Sequence, residues 1–350
     1  MVQSADDGAP LVSVVTATYN HENYIGPCIE SLLRQTYPNW EQIIIDDGST
    51  DATPKVIRQY SDPRIRYHRQ TNQGAYALAR TYNRALDLAK GSLVAILEGD
   101  DLWPPKKLAT LVPTFGDPRV VLAYGQNADV SAYGQMQGRM SRTARLRQKL
   151  PRSALFNDPV GCATRHMLVA ERASMVMPAT VVIRRAALED IGGFQYVAGL
   201  PLTDYPTFLE LSLKGKFFFT PETMGYRRFH LESVTAAHGE TIFEIESQYV
   251  WKFLERHSAE FSLEHSRRVE MEKSWIQCRN GLAFSNGRVL LSRGQWREAR
   301  AAFRSALKSK RPAVTLASLA GYISACLHFD IEPLMKLSGR PDPRTGTIES

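Results

Sequence analysis

The chain has 350 residues, which is long enough for one large domain with an appendage or for two domains. Its residues are 43% hydrophobic and 23% charged, which is ordinary for a globular protein. Its formal net charge of +7 favours anionic partners such as nucleotide phosphates, phospholipid surfaces or nucleic acid. No stretch reaches the roughly 18 to 20 apolar residues of a spanning helix. The N-terminus lacks a secretory signal, and the cysteines show no metal-site spacing. These features predict a cytoplasmic protein, at most peripheral on the inner face of the cytoplasmic membrane.

The first hundred residues alternate between predicted strands and predicted helices. Strands are predicted at 11–18, 40–45, 65–68 and 93–97, and helices at 24–35, 51–60 and 73–90. This alternation indicates an α/β fold whose mostly parallel sheet is flanked by helices.

Two of these strands end in acidic clusters, at Asp46 and Asp47 and at Glu98, Asp100 and Asp101. Because parallel strands present their carboxyl ends on one edge of a sheet, both clusters are expected to converge on one crevice. Carboxylates there suit a hard divalent cation that bridges to phosphates. The alternative is a polar, solvated turn after each strand.

Several segments between residue 11 and about residue 115 resemble family 2 glycosyltransferases of the Rossmann-like GT-A fold. They follow the order of the family motifs. Thr18-Tyr19-Asn20 is similar to TYN, and residues 46–51 are similar to DDGSTD. Asn72-Gln73-Gly74 with residues 83–86 and 89–91 is similar to NxG…RNxG…AxG, and residues 97–101 with Trp103 and Pro105 are similar to LDADDxWxP.

Two later segments resemble the same family. Gly192-Gly193-Phe194 followed by Asp204 is similar to GGF…ED, whose second acidic residue serves as catalytic base, and residues 226–230 with Ser233 are similar to YRxHxxSxS. Thr203 and Glu98 stand where the family commonly has Glu and Asp. The resemblance implies an inverting, metal-assisted transferase that moves a sugar from a nucleotide-diphosphate sugar to a hydroxyl of a glycan or lipid-linked acceptor.

The resemblance also implies roles for individual residues. Asp204 would be the general base, although its position also suits a helix cap. Mn2+ or Mg2+ would be bound by Asp100 with Asp101 and His230, of which the histidine could instead be structural. The donor, with UDP as the expected nucleotide, would be bound by Ala17, Tyr19, Asp47, Arg80, Glu98 and Gly99. The expected pathway is bacterial polysaccharide biosynthesis, such as lipopolysaccharide or capsule.

Between Phe115 and the middle of the chain the sequence is less informative. Strands are predicted at 120–125, 129–133 and 177–184, and helices at 185–191 and 208–213. Residues 139–152 carry basic side chains without an acidic one. They are interpreted as a solvated flexible loop or as a lid that meets pyrophosphate or an anionic bilayer, which would give peripheral membrane association.

After about residue 236 helix formers dominate. One unit with tetratricopeptide-like spacing runs from Gly287 to Ala306, and it is expected to pack with helices near 241–257, 262–284 and 313–328. The predicted organisation is therefore a polar tail at 1–10, a GT-A domain at 11–238, an all-α region at 239–338 and a polar tail at 339–350. The C-terminal helices could support a homo-oligomer or bind a protein partner.

Two other functions remain open. The chain could be a weakly active or inactive glycosyltransferase-like scaffold that recruits partners through its helical region, which the substitutions at Glu98 and Thr203 would permit. It could also be a nucleotidyltransferase, which shares the use of metal and nucleotide but releases pyrophosphate. Nucleic-acid binding is not expected, because no helix-turn-helix, zinc or aromatic–basic pattern is present.

Overall fold

The computed structural model describes residues 8–136, 141–228, 230 and 233–333. Two compact units are present, one of Met1–Leu168 with Arg172–Val234 and one of Val169–Glu171 with Thr235–Ser350. The first unit contains a β-sheet and the second is helical. The predicted polar tails lie outside the described residues, except for residues 8–10, where the carbonyls of Ala9 and Pro10 accept hydrogen bonds from Asn39 and Tyr37.

Within the described residues seven strands form one sheet in the order β3-β2-β1-β4-β6-β5-β7. The strands are β1 (Val12–Thr18), β2 (Trp40–Asp46), β3 (Ile65–Arg69), β4 (Leu93–Ile96), β5 (Val120–Val130), β6 (Val182–Arg184) and β7 (Lys216–Arg228). All neighbours are parallel except β6, which is antiparallel to β4 and β5. This topology confirms the predicted mostly parallel sheet.

Helices surround the sheet and form the second unit. The first unit contains α1 (Ile25–Leu33), α2 (Thr53–Ile57), α3 (Leu78–Leu88), α4 (Lys107–Leu111), α5 (Arg142–Arg147), α6 (Arg152–Phe156), α7 (Cys162–Met167), α8 (Arg185–Asp190) and α9 (Asp204–Leu211). α10 (Val234–Arg256), α11 (His265–Ser292), α12 (Trp296–Ala306) and α13 (Pro312–Cys326) follow. None of the helices in the described ranges is long and apolar enough to cross a membrane.

The central strands are buried on both faces. β1, β2 and β4 consist mainly of residues without solvent exposure, such as Val14, Ile44 and Ala95, and α1 covers one face with Ile25 and Ile29. Burial on both faces explains why these strands have continuous apolar runs instead of alternating patterns. Since the core fixes the strands, it also fixes the polar residues at their carboxyl ends.

Three strand predictions differ from the structure. The strands predicted at 120–125 and 129–133 are one strand, β5, whose pairing with β7 shifts register near Gly125. Only Val182–Arg184 of the strand predicted at 177–184 is extended, because Pro178–Thr180 forms a 3₁₀ turn. β7 was not predicted, since Pro221 and Glu222 interrupt its apolar pattern.

α5 occupies Arg142–Arg147 of the basic run, so the prediction of a flexible loop is wrong for this part. Ser141 Oγ caps α5 by accepting a hydrogen bond from the Ala144 N–H at 3.0 Å. Arg147 is only 1% exposed, and its guanidinium donates to the Met175 carbonyl at 2.7 Å. Arg147 therefore has a structural role in the first unit. Arg139, at the start of the run, lies outside the described residues.

The helical unit has a small apolar core around Phe303 on α12. A Cβ at Gly287 on α11 or at Gly321 on α13 would lie 2.9 Å or 2.4 Å from the Phe303 ring. These glycines therefore allow the three helices to approach each other closely. α11 continues through both the helix predicted at 262–284 and the start of the predicted repeat unit, whose tetratricopeptide character stays a prediction.

Asn157 provides a test of the packing in the first unit. It is fully buried with φ of 48°, and its side chain donates to the carbonyls of Ser212 and Gly215 and accepts from the N–H groups of Gly161 and Ala163. Asn157→Ala leaves these groups unsatisfied and should lower the free energy of unfolding by about 3 kcal/mol or more. Urea denaturation followed by fluorescence measures this change.

The exposed Gln148 offers a matched control for this measurement. Gln148→Ala should change the free energy of unfolding by less than about 0.5 kcal/mol. Equal effects of the two substitutions would show that the Asn157 contacts do not stabilise the unit.

Candidate active site

The carboxyl ends of β1, β2 and β4 lie side by side at one edge of the sheet. Backbone hydrogen bonds join them beyond the strands, because the Asp47 N–H donates to the Thr18 carbonyl at 2.9 Å and the Gly99 N–H donates to the Ala17 carbonyl at 3.1 Å. The two acidic segments therefore flank the end of β1. This is the arrangement expected for a ligand site in an open α/β sheet.

The cluster after β2 organises a loop. The Asp47 carboxylate accepts hydrogen bonds from the Gln73 N–H at 2.9 Å, the Gly74 N–H at 3.1 Å and the Gln70 side chain at 2.7 Å. An open pocket of about 500 Å³ lies beside this loop and includes Gly48 and Asn72 in its lining. The predicted contact of Asp47 with a nucleotide stays a prediction, and Tyr19 lies at the same edge with 44% of its surface exposed.

The cluster after β4 meets two histidines. His21 follows β1, His230 follows β7, and one ligand atom from each lies within 4.8 Å of the others and of an Asp100 oxygen. His230 Nε2 is 2.9 Å from Asp100 Oδ2. Burial raises the pKa of Asp100, but the charge of His21 and the hydrogen bond with His230 outweigh burial and leave this pKa below its usual value.

Arg228 joins the end of β7 to the acidic turn. Its backbone N–H donates to Asp101 Oδ1 at 2.9 Å, and its side-chain Nε donates to the Asp100 carbonyl at 2.7 Å. The guanidinium also donates to the Ala132 carbonyl at 2.8 Å. These bonds hold the predicted closing segment against Asp100, with His230 two residues further along the chain.

Asp101 is placed differently from the other predicted cation ligands. It lies outside the cluster of His21, Asp100 and His230, and it is 3% exposed. Burial and the charge of Asp100 raise its pKa well above the usual value, against the hydrogen bond from the Arg228 backbone. The contact seen for Asp101 is therefore structural, and its predicted role as an auxiliary ligand stays a prediction.

Asp204 is the first residue of α9, and its charge acts on Glu98 of the acidic turn. Its Oδ1 is buried without a hydrogen-bond partner among the described residues. Burial raises its pKa, although the N–H groups of Tyr205 and of Asp204 itself oppose this effect. A desolvated carboxylate with a raised pKa is a better proton acceptor than one in water.

Glu98 lies in the electrostatic field of its neighbours in the acidic turn and of Asp204. Burial and the negative charges of Asp101, Asp100 and Asp204 raise its pKa well above the usual value. The same acidic groups, together with burial, raise the pKa of Tyr82, which is 2% exposed and whose hydroxyl has no hydrogen-bond partner among the described residues. The charge of Asp204 and the charges of the acidic turn therefore act together on Glu98 and Tyr82.

Arg80 is exposed on α3, and its guanidinium lies 5.0 Å from the centroid of the Tyr196 ring. Its predicted contact with the donor stays a prediction. Tyr82 stands directly before Asn83, at the position where the RNxG motif has its arginine. Asn83 in turn binds both backbone groups of Phe194 at 2.8 Å, which ties α3 to the glycine-rich turn before α9.

The residues around Asp100 fit a divalent cation. A carboxylate and two imidazoles are common ligands of first-row divalent metals. Two ligand atoms at right angles on bonds of about 2.1 Å lie about 3 Å apart, and the separation of His230 Nε2 and Asp100 Oδ2 is 2.9 Å. A cation would also neutralise part of the negative charge that Glu98, Asp100 and Asp101 concentrate in this turn.

His21 and Tyr82 were not singled out from the sequence. His21 lies three residues after the end of β1, among the polar residues that follow the strand. Its position at the carboxyl edge of a parallel sheet was a usable signal, since histidines there can bind ligands. Tyr82 gave no such signal, because an aromatic residue on an amphipathic helix is typical of the core.

Comparison with known proteins agrees with this architecture. Residues 13–192 match the family described as Glycosyl transferase family 2, and the chain belongs to this family. WfgD of Escherichia coli, a UDP-Glc:alpha-D-GlcNAc-diphosphoundecaprenol beta-1,3-glucosyltransferase, is 34% identical over 155 residues, which are 44% of this chain and 58% of WfgD. TuaG of Bacillus subtilis is 47% identical over 102 residues, 28% of this chain and 39% of TuaG. The chain thus spans less than two thirds of either relative.

The fold is also shared with a solved structure. The mannosyltransferase PcManGT from Pyrobaculum calidifontis, in complex with GDP-Man and Mn2+, superposes with a TM-score of 0.55 and 19% sequence identity. The superposition covers 90% of this chain and 80% of PcManGT. At this level of identity the similarity establishes the GT-A-like fold.

The raised pKa of Asp204 predicts a pH-dependent cost to stability. A carboxyl group with a higher pKa in the folded chain than in the unfolded chain is tolerated below about pH 4 and destabilises the fold as the pH rises through the folded pKa. Asp204→Asn should therefore match the parent protein in free energy of unfolding near pH 4 and be more stable than the parent at pH 7. Urea titrations in EDTA measure the difference.

Asp190→Asn is the control for this series, because Asp190 is exposed and paired with Lys214. The difference in free energy of unfolding between Asp190→Asn and the parent should not increase with pH in this way. A parent protein more stable than Asp204→Asn at pH 7 would contradict the account of a desolvated carboxylate.

Proposed function

We propose that this protein is an inverting glycosyltransferase that moves a sugar from a nucleotide-diphosphate sugar to a hydroxyl of a glycan or lipid-linked acceptor. The observation that carries the proposal is the electrostatic convergence of Glu98, Asp100 and Asp101 with Asp204. The acidic turn would bind the cation and diphosphate, and Asp204 would deprotonate the acceptor. Membership of family 2 supports the reaction class.

The donor would lie along the edge of the sheet from β2 to β4. Tyr19 is exposed enough to stack on the base, and the pocket beside Gly48 and Asn72 can receive it. Glu98 at the end of β4 can accept a hydrogen bond from a ribose or sugar hydroxyl through its carboxylate. UDP is the proposed nucleotide, because the name of WfgD gives UDP-Glc as its donor.

Asp100 and His230 would hold a divalent cation at the diphosphate. Bound Mn2+ or Mg2+ supplies positive charge that stabilises the nucleoside diphosphate as it leaves. PcManGT, which shares the fold, is described in complex with Mn2+ and GDP-Man. Arg228 fixes the acidic turn through its bonds to Asp101 and to the Asp100 carbonyl, two residues before His230 in the chain.

Asp204 would act on the acceptor. As the acceptor oxygen forms a bond to the anomeric carbon, its proton passes to an Asp204 oxygen. The bond from that carbon to the diphosphate oxygen breaks at the same time, and the diphosphate keeps the electron pair. A single displacement from the opposite face inverts the configuration, with oxocarbenium character in the transition state.

The acceptor class rests on the relatives. The name of WfgD specifies a sugar on diphosphoundecaprenol, so a lipid-linked diphosphate sugar is the first acceptor to test. Exposed basic side chains of the α5 region, such as Arg145 and Lys149, could attract its phosphates at a membrane surface. The alternative of a weakly active or inactive scaffold predicts little or no transfer even where a donor binds, so the release of nucleoside diphosphate separates the two.

Donor binding is tested by thermal unfolding with Mn2+ and a panel of UDP-glucose, UDP-N-acetylglucosamine and GDP-mannose. A donor present at 100 times its Kd should stabilise the protein by about 2.7 kcal/mol. Transfer to a short-chain analogue of N-acetylglucosaminyl diphosphoundecaprenol is then measured by release of nucleoside diphosphate. Neither stabilisation nor release with any member of the panel or with further nucleotide sugars would refute the proposal.

Asp204→Asn separates binding from chemistry. It should lower kcat about 10²–10⁴-fold, because a general base contributes that much, and it should leave the Kd of the donor unchanged. Asp190→Asn, which removes an exposed carboxylate, should keep both values. Unchanged kcat in Asp204→Asn would remove this residue from the mechanism.

A further inference from the structure

His21 lies beside the proposed cation although the sequence motifs give it no role. Its backbone is fixed, because its N–H donates to Thr53 Oγ1 at 2.8 Å and its carbonyl accepts from the N–H groups of Tyr24 and Ile25 at the start of α1. The side chain therefore starts from a defined point next to Asp100. One ligand atom of its ring is within 4.8 Å of ligand atoms of Asp100 and His230.

Gly99 provides the space that this imidazole occupies. A Cβ at Gly99 would lie 2.8 Å from His21 Nδ1 and 2.7 Å from Thr18 Oγ1, distances that real Cβ atoms essentially never show. The φ of Gly99 is outside the left-handed region, so the glycine is needed for space. The LDADDxWxP motif has alanine at this position, and the glycine here therefore fits the presence of His21.

His230 gives a second, independent indication of a ligand. Its side chain is 4% exposed, and its Nδ1 is buried without a hydrogen-bond partner among the described residues. Its Nε2 is 2.9 Å from Asp100 Oδ2, which matches the separation of adjacent ligands on one metal ion. A buried imidazole with unused bonding capacity beside a carboxylate is suited to a cation.

We propose that His21 is the third protein ligand of the cation and that the set of His21, His230 and Asp100 selects a first-row transition ion over Mg2+. The inference rests on the cation of the proposed function and names its ligands and its chemical class. Imidazole nitrogen is a poor ligand for Mg2+, which prefers carboxylate and water oxygens, whereas transition ions bind imidazole well. Three protein ligands leave positions open for diphosphate oxygens.

A packing role is the competing explanation for His21. Its ring meets those of Tyr24 and His230 edge to face, with centroids 5.9 Å and 6.1 Å away. Such contacts would stabilise the turn without any nitrogen reaching a metal. The two explanations differ in the number of imidazole nitrogens bound to the ion, which can be measured without turnover.

The test uses the full chain loaded with Mn2+ in the absence of nucleotide. Electron spin-echo envelope modulation counts the histidine nitrogens coupled to Mn2+, and calorimetry compares Mn2+ with Mg2+. The proposal predicts two coupled nitrogens and Mn2+ binding about 100-fold tighter than Mg2+. His21→Asn should show one nitrogen and bind Mn2+ about 10–100-fold more weakly.

Two further variants sharpen the test. Gly99→Ala removes no ligand atom, yet it should also reduce the count to one nitrogen because its Cβ occupies the place of the His21 ring. His68→Asn, which replaces an imidazole on β3, is the matched control and should keep two nitrogens. If Gly99→Ala fails to fold, His21→Asn still decides, since its backbone contacts are retained.

The outcomes separate the inference from the proposed function. One coupled nitrogen in the parent protein, or two in His21→Asn, would overturn the role of His21 while leaving a cation at Asp100. Equal affinities for Mn2+ and Mg2+ would overturn the selectivity. No binding of Mn2+ at millimolar concentration would overturn both the inference and the cation of the proposed function.

Discussion

The candidate site is organised around the compensation of buried negative charge at the end of β4. Glu98 lies in the field of Asp100, Asp101 and Asp204, and burial raises the pKa of Glu98, Asp101 and Asp204. Only Asp100 has its pKa held down, because His21 and His230 face it. Desolvated like charges cost free energy unless groups of opposite charge compensate them. The arrangement therefore costs folding free energy, and its chemistry suits cation binding and proton transfer.

The fold supplies this compensation from distant parts of the chain. β7 brings Arg228 and His230 to the acidic turn, more than a hundred residues away in sequence, and β1 brings His21. Asn83 holds the turn that leads to α9, which positions Asp204. Each of these contacts depends on strand order, so the chemistry of the site is a consequence of the sheet topology. Small changes in the packing of β7 would therefore reach the cation site without touching a ligand.

The sequence predicted the parts of this fold that rest on local patterns. Continuous apolar runs located β1, β2 and β4, and the polar residues after them located the edge of the sheet that forms the candidate site. β7 could not be read in the same way, because Pro221 and Glu222 break its pattern and its pairing with β5 is long-range. The basic run was misinterpreted because the burial of Arg147 depends on carbonyls and amides from other elements, such as Met175 and Asn127.

The site shows the same division. Asp100, Asp204 and His230 could be proposed from motif positions, and the structure places Asp100 and His230 in contact and the charge of Asp204 near Glu98 of the same turn. His21 could not, since its relation to Asp100 depends on the missing side chain of Gly99, and neither residue is informative alone. Arg80 was carried over from a motif whose arginine position is occupied here by Tyr82, and α3 presents Arg80 to solvent. Motif positions thus predicted the type of chemistry, whereas the ligand set required side-chain geometry.

The central claim is that the acidic turn after β4 binds a divalent cation next to His21 and His230. Anomalous scattering at the manganese edge from crystals soaked in Mn2+ tests this claim most directly. The account predicts one strong peak at Asp100, bounded by the two imidazoles. A peak at Asp101 away from both histidines, or no peak at this edge of the sheet, would contradict it.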